Sequence, residues 1–387
     1  MKKKILFFSG SRAEYSLIKP FYRTFSKLGC DCKFIIAGSH LSNNFGNTLN
    51  DFKKDKIKIF KKINLKINTN KLNDIIDYSS KLQLNINELF KKHKFDYTFL
   101  SSDRFETFAA AIVSFANNVP IIHYEGGEIT EGGSLDDNIR HSISKISHIH
   151  FVTNEKSKKI LYKMGENKEH IFNTGYSSLF YSSKKNLVSK KKIYNFFKIK
   201  ENEKIILINM HPIALSKTLT INEIKNVLEA LKFIDHKIYK IIFTYPNFDP
   251  NYQIILNQMN HFMKLYKNSK LIPHLGTQMY HSLMYYFGKD KLGFCIGNSS
   301  SLIKEAPFFN CPSIIIGNRQ KGRYSYKKLV FATAKKKSII KKINEITKFV
   351  YPKTTPINFK HINLEKIIKK TIHLRSKKNF LLKNNFF

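Results

Sequence analysis

The sequence predicts an α/β protein built from two tandem Rossmann-like, doubly wound domains, each with a parallel sheet. Short apolar runs alternate with longer helical patterns along the chain, which is the signature of a parallel sheet flanked by helices. The chain has 387 residues, more than the ~250–300 at which a single core stops growing. Hydrophobic residues make up 42% of the chain and aromatic residues 13%, enough apolar surface for two packed cores.

The first half of the chain contains six apolar runs that we predict to be strands. A polar stretch rich in Lys and Ser, residues 181–204, is the predicted linker, so the first domain covers residues 1–180. Helical patterns between the strands include residues 72–92 and 105–117. The predicted strands are residues 5–9, 33–37, 97–101, 120–124, 150–153 and 171–174.

The second half repeats this pattern over residues 205–387. Its predicted strands are residues 205–209, 241–245, 292–296 and 313–316. Its predicted helices include residues 221–233 and 252–267. The last helical pattern, residues 363–380, is a candidate to cross back to the first domain. Two such domains in tandem predict a ligand site in the cleft between them, beyond the carboxyl ends of their strands.

The formal charge of +39 and the pI of about 9.9 raise nucleic acid or an anionic membrane as a partner. The lysines are spread over the whole chain, however, and the short lysine runs lie in polar connecting stretches. A solvated basic surface explains this pattern better than a nucleic-acid groove. We therefore expect no nucleic-acid partner, and an anionic substrate is compatible with the charge.

The cysteines and the lengths of the apolar runs indicate the cellular compartment of the protein. The four cysteines have neither a zinc-ligand spacing nor the framework of a small secreted domain. The apolar run near the start covers only residues 5–8, too short for a signal peptide. No run approaches the ~20 residues that span a bilayer. We expect a cytoplasmic protein without membrane insertion.

A turn and a helix follow the first predicted strand, with the sequence GSRAEY from Gly10. The free backbone N–H groups at the start of such a helix suit an anion, and Arg12 could clamp a phosphate. A surface arginine is the alternative. The spaced glycines of a dinucleotide fingerprint are missing.

Carboxylates crowd the ends of later strands, although the chain has only 28 acidic residues. Asp103 and Glu125 each follow a predicted strand, and Asp136 and Asp137 open a helix. Clustered carboxylates raise one another's pKa, so that some are protonated and others ionised near neutral pH, as general acid and base catalysis requires. Helix capping is the alternative for Asp136 and Asp137 taken alone. Magnesium binding is the competing use of the cluster, but no spacing specifies it.

Polar residues also follow strands in the second half. His211 comes after residues 205–209 and is expected to point into the cleft, a structural histidine being the alternative. Ser299 and Ser300 lie in GNSSS, which suits a diphosphate at a helix start. Glu305, expected one and a half turns into that helix, can accept bonds from both ribose hydroxyls. Arg319 lies in a loop that contains three cationic residues and two glycines. This loop either contacts a phosphate or a base of the ligand, or is a plain basic loop.

Over nearly its whole length the chain resembles the hydrolysing UDP-N-acetylglucosamine 2-epimerases that feed sialic-acid and legionaminic-acid synthesis. Seven motifs carry the resemblance in order: GSRAEY, SDRFE, IIHYEGGE, DDNIRHSISKISHIHF, NMHP, GNSSS and GNRQKGR. The resemblance implies a GT-B-like pair of domains with the active site in the cleft. It also implies elimination of UDP to a 2-acetamidoglycal, followed by hydration with carbon 2 inverted.

The resemblance also implies roles for individual residues. Asp103, Glu125 and Asp136 match the catalytic carboxylates, with the division between acid and base left open, and His211 matches a histidine near the diphosphate. The implied substrate-binding residues are Arg12, Arg104, Ser299, Ser300, Glu305 and Arg319, with Glu305 on the ribose. No cofactor or metal is implied, the partner is a UDP-sugar, and we expect a homo-oligomer, a dimer or a tetramer.

The chain departs from the family pattern at three positions. The family usually has glycine at the positions of Ser102 and Leu302 and aspartate at the position of Asn318. None of these changes removes a predicted catalytic carboxylate. A glycosyltransferase of the same fold and a non-catalytic nucleotide-sugar binding protein remain the alternatives.

Overall fold

The computed structural model describes residues 2–42, 48–65, 72–130, 136–182, 186–213, 216–247, 249–325, 329–348, 363–374 and 380–381. The chain divides into two compact units. The first unit comprises Met1–Ile129, Leu135–Phe180 and Lys360–Phe387, and the second comprises Thr130–Ser134 and Tyr181–Phe359.

A seven-stranded parallel sheet forms the centre of the first unit. Its strands are β1 (Lys4–Ser9), β2 (Asp31–Ile36), β3 (Ile59–Lys62), β4 (Tyr97–Ser101), β5 (Ile121–Tyr124), β6 (Ile149–Val152) and β7 (Ile171–Asn173). The helices are α1 (Arg12–Lys27), α2 (Leu49–Lys54), α3 (Leu72–Lys92), α4 (Phe105–Ala116), α5 (Asp136–Ile146) and α6 (Glu155–Lys163). The strand order is β3-β2-β1-β4-β5-β6-β7.

Strand β1 shows why these apolar runs become buried strands. Ile5 and Phe7 pack on one face of the sheet with the helix α1, while Leu6 and Phe8 pack on the other with α3 and α4. Successive side chains of a strand point to opposite faces, and a sheet covered by helices on both faces therefore needs a continuous apolar run.

A six-stranded parallel sheet forms the centre of the second unit. Its elements are α7 (Lys190–Phe197), β8 (Lys204–Asn209), α8 (Lys217–Leu231), β9 (Tyr239–Thr244), α9 (Tyr252–Leu265), β10 (Ser269–Ile272), α10 (Gly276–Asp290), β11 (Gly293–Gly297), α11 (Ser301–Lys304), β12 (Ser313–Ile316), β13 (Val330–Ala332) and α12 (Lys336–Lys348). The strand order β10-β9-β8-β11-β12-β13 is that of a Rossmann fold.

The last described helix, α13 (Leu364–Leu374), belongs to the first unit. Its Ile368 is fully buried in the same core as Ile5 and Phe7, and the Tyr97 hydroxyl donates to the Thr371 carbonyl over 3.3 Å. Residues 181–204, expected to be a linker, contain α7 and count with the second unit, where Ile193 is buried.

The two doubly wound parallel sheets confirm the predicted fold class. Three strands, β3, β10 and β13, were not predicted. They are short edge strands of three or four residues with at most one buried residue each, and their exposed positions hide the apolar pattern that a central strand shows. Within the part of the chain that the structure describes, no helix is both long enough and apolar enough to cross a bilayer.

In each sheet the strand order reverses at one point. The reversal lies between β1 and β4 in the first unit and between β8 and β11 in the second. Connections leave such a point in opposite directions, so the carboxyl ends of these strands are where open α/β sheets bind ligands. Arg12 and Asp103 follow β1 and β4, and His211 and Ser299 follow β8 and β11. Glu125 and Asp136 follow the neighbouring β5, and Arg319 follows β12.

Candidate functional site

The carboxylate of Glu14 occupies the turn at the start of α1. Glu14 accepts hydrogen bonds from the backbone N–H of Gly10 over 2.7 Å and of Ser11 over 2.9 Å, and Thr107 donates to its other oxygen over 2.5 Å. Burial raises the pKa of Glu14 to about 7. The expectation that these N–H groups wait for an external anion is therefore wrong for Gly10 and Ser11.

Two arginines flank this turn. Burial lowers the pKa of the Arg12 guanidinium to about 10, and the charge of Asp51 opposes that effect. Arg104 directly precedes α4, and the buried Glu106 holds its guanidinium through Nε at 3.2 Å and a terminal nitrogen at 3.3 Å. A carboxylate that binds two nitrogens of an arginine in this way fixes the direction of the other N–H groups of the guanidinium.

A buried arginine gathers the predicted catalytic carboxylates. Arg140 on α5 is 1% exposed, forms ion pairs with Asp103 and Asp137, and donates to the Glu128 carbonyl over 2.9 Å. Burial by itself lowers the pKa of Arg140, but the negative charges of Asp103, Glu128, Asp137 and Asp136 outweigh it and raise the pKa. The guanidinium thus stays charged beside these carboxylates.

Asp136 is the first residue of α5, and its charge acts on Arg140 together with that of Asp103. The structure therefore brings two of the three predicted carboxylates to one guanidinium. Arg140 lies inside the DDNIRH motif, but the sequence analysis gave it no role. The role of Arg140 depends on its contact with Asp103, which lies 37 positions earlier in the sequence.

Glu125, the third predicted carboxylate, directly follows β5 and is 6% exposed. Its carboxylate accepts a hydrogen bond from the Ser102 hydroxyl over 3.1 Å. Ser102 directly follows β4, so the pair joins the ends of two neighbouring strands. Both residues have left-handed backbone, with φ of 72° at Ser102 and 71° at Glu125.

The histidine of this region is structural. His123 is fully buried, and burial lowers its pKa to about 3, so the ring is neutral near pH 7. Its Nε2 lies 2.9 Å from the Ser102 carbonyl and its Nδ1 lies 3.1 Å from the Ser144 hydroxyl. Because a carbonyl only accepts, the ring proton is on Nε2, and His123 fixes the turn that carries Ser102.

In the second unit, His211 follows β8 as predicted. Its Nδ1 accepts a hydrogen bond from the backbone N–H of Asn247 over 2.9 Å. A neutral imidazole carries one proton, so this bond leaves the proton on Nε2. His211 is therefore arranged to donate a hydrogen bond from Nε2.

Asn298, which the sequence analysis did not single out, holds His211 and the loop after β11 together. Its amide exchanges two backbone hydrogen bonds with His211, 2.7 Å and 2.8 Å long, and it donates to Glu223 over 3.0 Å. Arg319 and Gln320 donate to the Asn298 carbonyl over 3.1 Å and 3.0 Å. Burial raises the pKa of Glu223 to about 7, although the Asn298 bond and the Arg319 charge oppose the rise.

The serines of GNSSS lie at the start of α11 as expected. Ser300 is the N-cap residue, and the Ser299 hydroxyl lies 3.0 Å from that of Ser301. The prediction for Glu305 is wrong in one respect. Helix α11 has only four residues and Glu305 ends it as the C-cap, because a 3-10 turn containing Pro307 follows.

Glu305 has a partner that the sequence did not reveal. Its carboxylate lies 3.5 Å from Nε2 of His281, which is 3% exposed on α10, and the other ring nitrogen of His281 lies 2.7 Å from the Ser182 hydroxyl. Nε2 of His281 is thus within ion-pair distance of Glu305 but makes no hydrogen bond within the described part of the chain. Among the described residues, no group of three or more His, Cys, Asp or Glu side chains is placed to hold a metal ion.

Two Rossmann-type units with polar residues at both points of strand-order reversal define the class of GT-B-like nucleotide-sugar proteins. The family model described as UDP-N-acetylglucosamine 2-epimerase matches residues 25–361. The chain belongs to this family.

Relatives with similar sequences agree with this assignment. The chain is 36% identical over 326 residues to the GDP/UDP-N,N'-diacetylbacillosamine 2-epimerase (hydrolyzing) of Campylobacter jejuni, covering 83% of this chain and 82% of that protein. It is 30% identical over 388 residues to the polysialic acid biosynthesis protein P7 of Escherichia coli, covering 97% and 96%. It is 29% identical over 326 residues to the UDP-N,N'-diacetylbacillosamine 2-epimerase (hydrolyzing) of Legionella pneumophila, covering 83% and 82%.

Solved structures share the fold. UDP-GlcNAc 2-epimerase from Neisseria meningitidis, bound to UDP-GlcNAc, matches with a TM-score of 0.77 at 20% identity, covering 95% of this chain and 99% of that chain. The enzyme from Methanocaldococcus jannaschii, in complex with UDP-GlcNAc and UDP, matches with a TM-score of 0.74 at 20% identity, covering 96% and 100%.

Proposed function

We propose that this protein is a hydrolysing 2-epimerase that converts a UDP-linked 2-acetamido sugar and water into UDP and the free sugar inverted at carbon 2. Membership of the family and the names of the relatives support the reaction class. The observation that carries the proposal is the carboxylate group at the ends of β4 and β5, where Asp103 pairs with Arg140 and Glu125 with Ser102.

The proposed reaction has two steps. A carboxylate removes the proton from carbon 2 while the bond between carbon 1 and the diphosphate oxygen breaks, with its electron pair leaving on UDP, and a 2-acetamidoglycal forms. Water then adds its hydroxyl to carbon 1, and a proton returns to carbon 2 on the opposite face. Acid and base groups of this kind typically contribute ~10²- to 10⁴-fold in rate.

The contacts of the carboxylates support different roles for them. Asp103 forms an ion pair with the buried Arg140, and we assign to it the support of positive charge that develops on the sugar ring. Glu125 accepts a hydrogen bond from the Ser102 hydroxyl, and we assign proton transfer to it. Asp136, at the start of α5, is the second proton-transfer candidate.

We assign nucleotide binding to the second unit, with Arg12 and Arg104 as further anion contacts in the first. His211, with its proton on Nε2, would donate to the departing diphosphate. Ser299, Ser300 and Arg319 would contact the phosphates, and Glu305 the ribose. The contact of Glu305 with His281 supports a fixed carboxylate, as recognition of two hydroxyls requires.

The names of the relatives suggest which sugars to test. Two of them are named for N,N'-diacetylbacillosamine and one for polysialic acid synthesis. We therefore propose a UDP-2,4-diacetamido-6-deoxy sugar as the first substrate to test and UDP-N-acetylglucosamine as the second. Production of a precursor for legionaminic or sialic acid in the cytoplasm is part of the same proposal, and neither a cofactor nor nucleic acid takes part in it.

Incubation of the purified protein with each UDP-sugar, followed by NMR of the products, tests the proposal. We expect UDP and a free sugar of inverted configuration at carbon 2 from one of the two substrates. UDP binding without turnover would support a binding protein instead. Transfer of the sugar to an acceptor with carbon 2 unchanged would support a glycosyltransferase.

We also propose that the chain acts as a homo-oligomer, a dimer or a tetramer. Four large apolar side chains on α3 and α4, two helices that pack on each other, are exposed: Ile76, Leu84, Ile112 and Phe115. Exposed apolar residues on neighbouring elements favour association. Light scattering on the purified protein should give a multiple of 45.3 kDa, and a mass of one chain at micromolar concentration would contradict this.

A further inference from the structure

Ser102 and Glu125 form a latch between the carboxyl ends of β4 and β5. Both residues have φ near +70°, a region that L-residues other than glycine, Asn and Asp seldom adopt. Positive φ at two neighbouring strand ends persists only where surrounding contacts hold the backbone, and such conformations cluster at functional sites.

Backbone hydrogen bonds hold both turns in place. The N–H of Ser102 donates to the Tyr124 carbonyl over 3.1 Å, and the N–H of Glu125 donates to the Phe151 carbonyl over 3.0 Å. The buried His123 donates from Nε2 to the Ser102 carbonyl over 2.9 Å. The latch is therefore fixed by contacts with β5 and β6 as well as by its own hydrogen bond.

The hydroxyl of Ser102 is committed to the carboxylate. Ser102 Oγ lies 3.1 Å from Glu125 Oε2 and 3.3 Å from the hydroxyl of the buried Ser101. An ionised carboxylate only accepts, so the single proton of Ser102 goes to Glu125, and Ser101 donates in turn to Ser102. Two hydroxyls in series form a polarised chain that ends on Glu125.

We infer that Ser102 is a positioning residue for the proposed reaction: its hydroxyl holds the Glu125 carboxylate in one orientation and favours its ionised form. The inference rests on the proposed function, in which Glu125 transfers a proton. A glycine at this position would suit the positive φ but would supply no hydroxyl. In this chain, therefore, the Ser102 hydroxyl contributes to the ionisation of the Glu125 carboxylate through its hydrogen bond.

Other titratable and charged groups around this end of the sheet also act on the region. They come from β5 and the segment after it, the segment after β4, the neighbouring strand β6 and the helix α5: Tyr124, Glu128, Asp103, His150 and Arg140. None of them changes in the variants that test Ser102, so their effects are constant in the comparison.

The test separates the hydroxyl from the backbone. Ser102→Ala removes the hydroxyl and keeps an L-residue at positive φ, whereas Ser102→Gly removes the hydroxyl and suits that φ. Ser114→Ala is the matched control, because the buried Ser114 hydroxyl bonds to Thr98 and to a carbonyl of its own helix. Ionisation of Glu125 is followed by carbon-13 NMR of labelled glutamate carboxyls, with its signal identified by its absence in Glu125→Gln.

We expect the titration midpoint of Glu125 to rise by about 0.5 to 1 pH unit in both Ser102 variants and to stay constant in Ser114→Ala, because a hydrogen bond to the charged form favours it. The acid limb of the kcat profile should move by the same amount, with KM unchanged. A constant midpoint in both Ser102 variants would overturn the inference, as would a shift in Ser102→Gly alone. If no UDP-sugar is turned over, the proposed function fails, while the carboxyl titration still decides the role of Ser102.

Discussion

Arg140 is the residue on which the charge of the candidate site depends. Its side chain is almost fully buried, yet it faces two carboxylates and a backbone carbonyl. Removal of one partner from a buried ion pair is costly because the remaining charge is left without compensation. The guanidinium meets the two carboxylates through two different terminal nitrogens held in one plane, a fixed fork that the lysine ammonium lacks.

Arg140→Met should therefore lower the free energy of unfolding by about 3 kcal/mol. Arg140→Lys is the control, since it keeps the charge and loses only the forked geometry, and we expect a smaller loss from it. Urea unfolding at pH 7 measures both. Equal stability of Arg140→Met and the wild type would show that the fold does not depend on the ion pairs of Arg140 with Asp103 and Asp137.

The sequence predicted those residues of the candidate site whose position follows from a single local motif. Asp103, Glu125 and His211 all lie one or two residues after the end of a strand, as their motifs indicated. Arg140 and Asn298 were missed because their roles come from partners 37 and 87 residues away, and a motif shows only near neighbours. The catalytic and binding roles of the predicted residues stay predictions.

At the scale of elements, the buried central strands and the edge strand β7 were predictable, whereas the edge strands β3, β10 and β13 were not. Central strands such as β4 are buried along their whole length and appear as continuous apolar runs. Helix α3 was predicted with its observed bounds, Leu72–Lys92, because its apolar period is long. Helix α8 begins at Lys217 rather than at residue 221, because Ser216 caps it and accepts from the Leu219 N–H over 3.2 Å.

Helix α8 also places an acid where it limits stability at neutral pH. Glu223 ionises near pH 4.5 when unfolded, but burial raises its pKa to about 7 in the folded chain. A raised pKa means that the folded state favours the neutral form, so the stabilisation is complete below about pH 4.5 and is lost as pH rises through 7. A difference of this size corresponds to at most about 3 kcal/mol.

Glu223→Gln keeps an acceptor for Asn298 and removes the ionisation. We therefore expect its free energy of unfolding, relative to the wild type, to increase between pH 5 and about pH 8 by up to about 3 kcal/mol. Glu229→Gln is the control on the same helix, because Glu229 is part-exposed and binds Lys232, and it should show no such gain. Parallel pH curves for Glu223→Gln and the wild type would contradict the assignment.

At the scale of the whole molecule, the two units carry different kinds of groups. The predicted catalytic carboxylates lie in the first unit, while GNSSS, Glu305 and His211 lie in the second. The net charge of +39 is spread along the chain and is not needed to explain either set. The class of the fold was predictable because both units repeat one alternating pattern, whereas the assignment of α13 to the first unit depends on packing of Ile368 in its core.

The central claim is that the carboxylates of the first unit perform the chemistry while Glu305 holds the nucleotide. A general acid or base acts through the transition state, so its loss appears in kcat, whereas a ribose contact is made before and during reaction and appears mainly in KM. Asp137→Asn is a matched control for Asp103→Asn, because both residues pair with Arg140 but only Asp103 is assigned to the reaction.

The most direct measurement is turnover and calorimetric UDP affinity, compared across Asp103→Asn, Glu125→Gln, Asp136→Asn, Asp137→Asn and Glu305→Ala. We expect the first three to lower kcat by ~10²- to 10⁴-fold and to keep the UDP affinity of the wild type. Asp137→Asn should stay within a few-fold of the wild type, and Glu305→Ala should weaken UDP binding. Turnover of the first three variants within a few-fold of the wild type would show that these carboxylates are structural and would contradict the account.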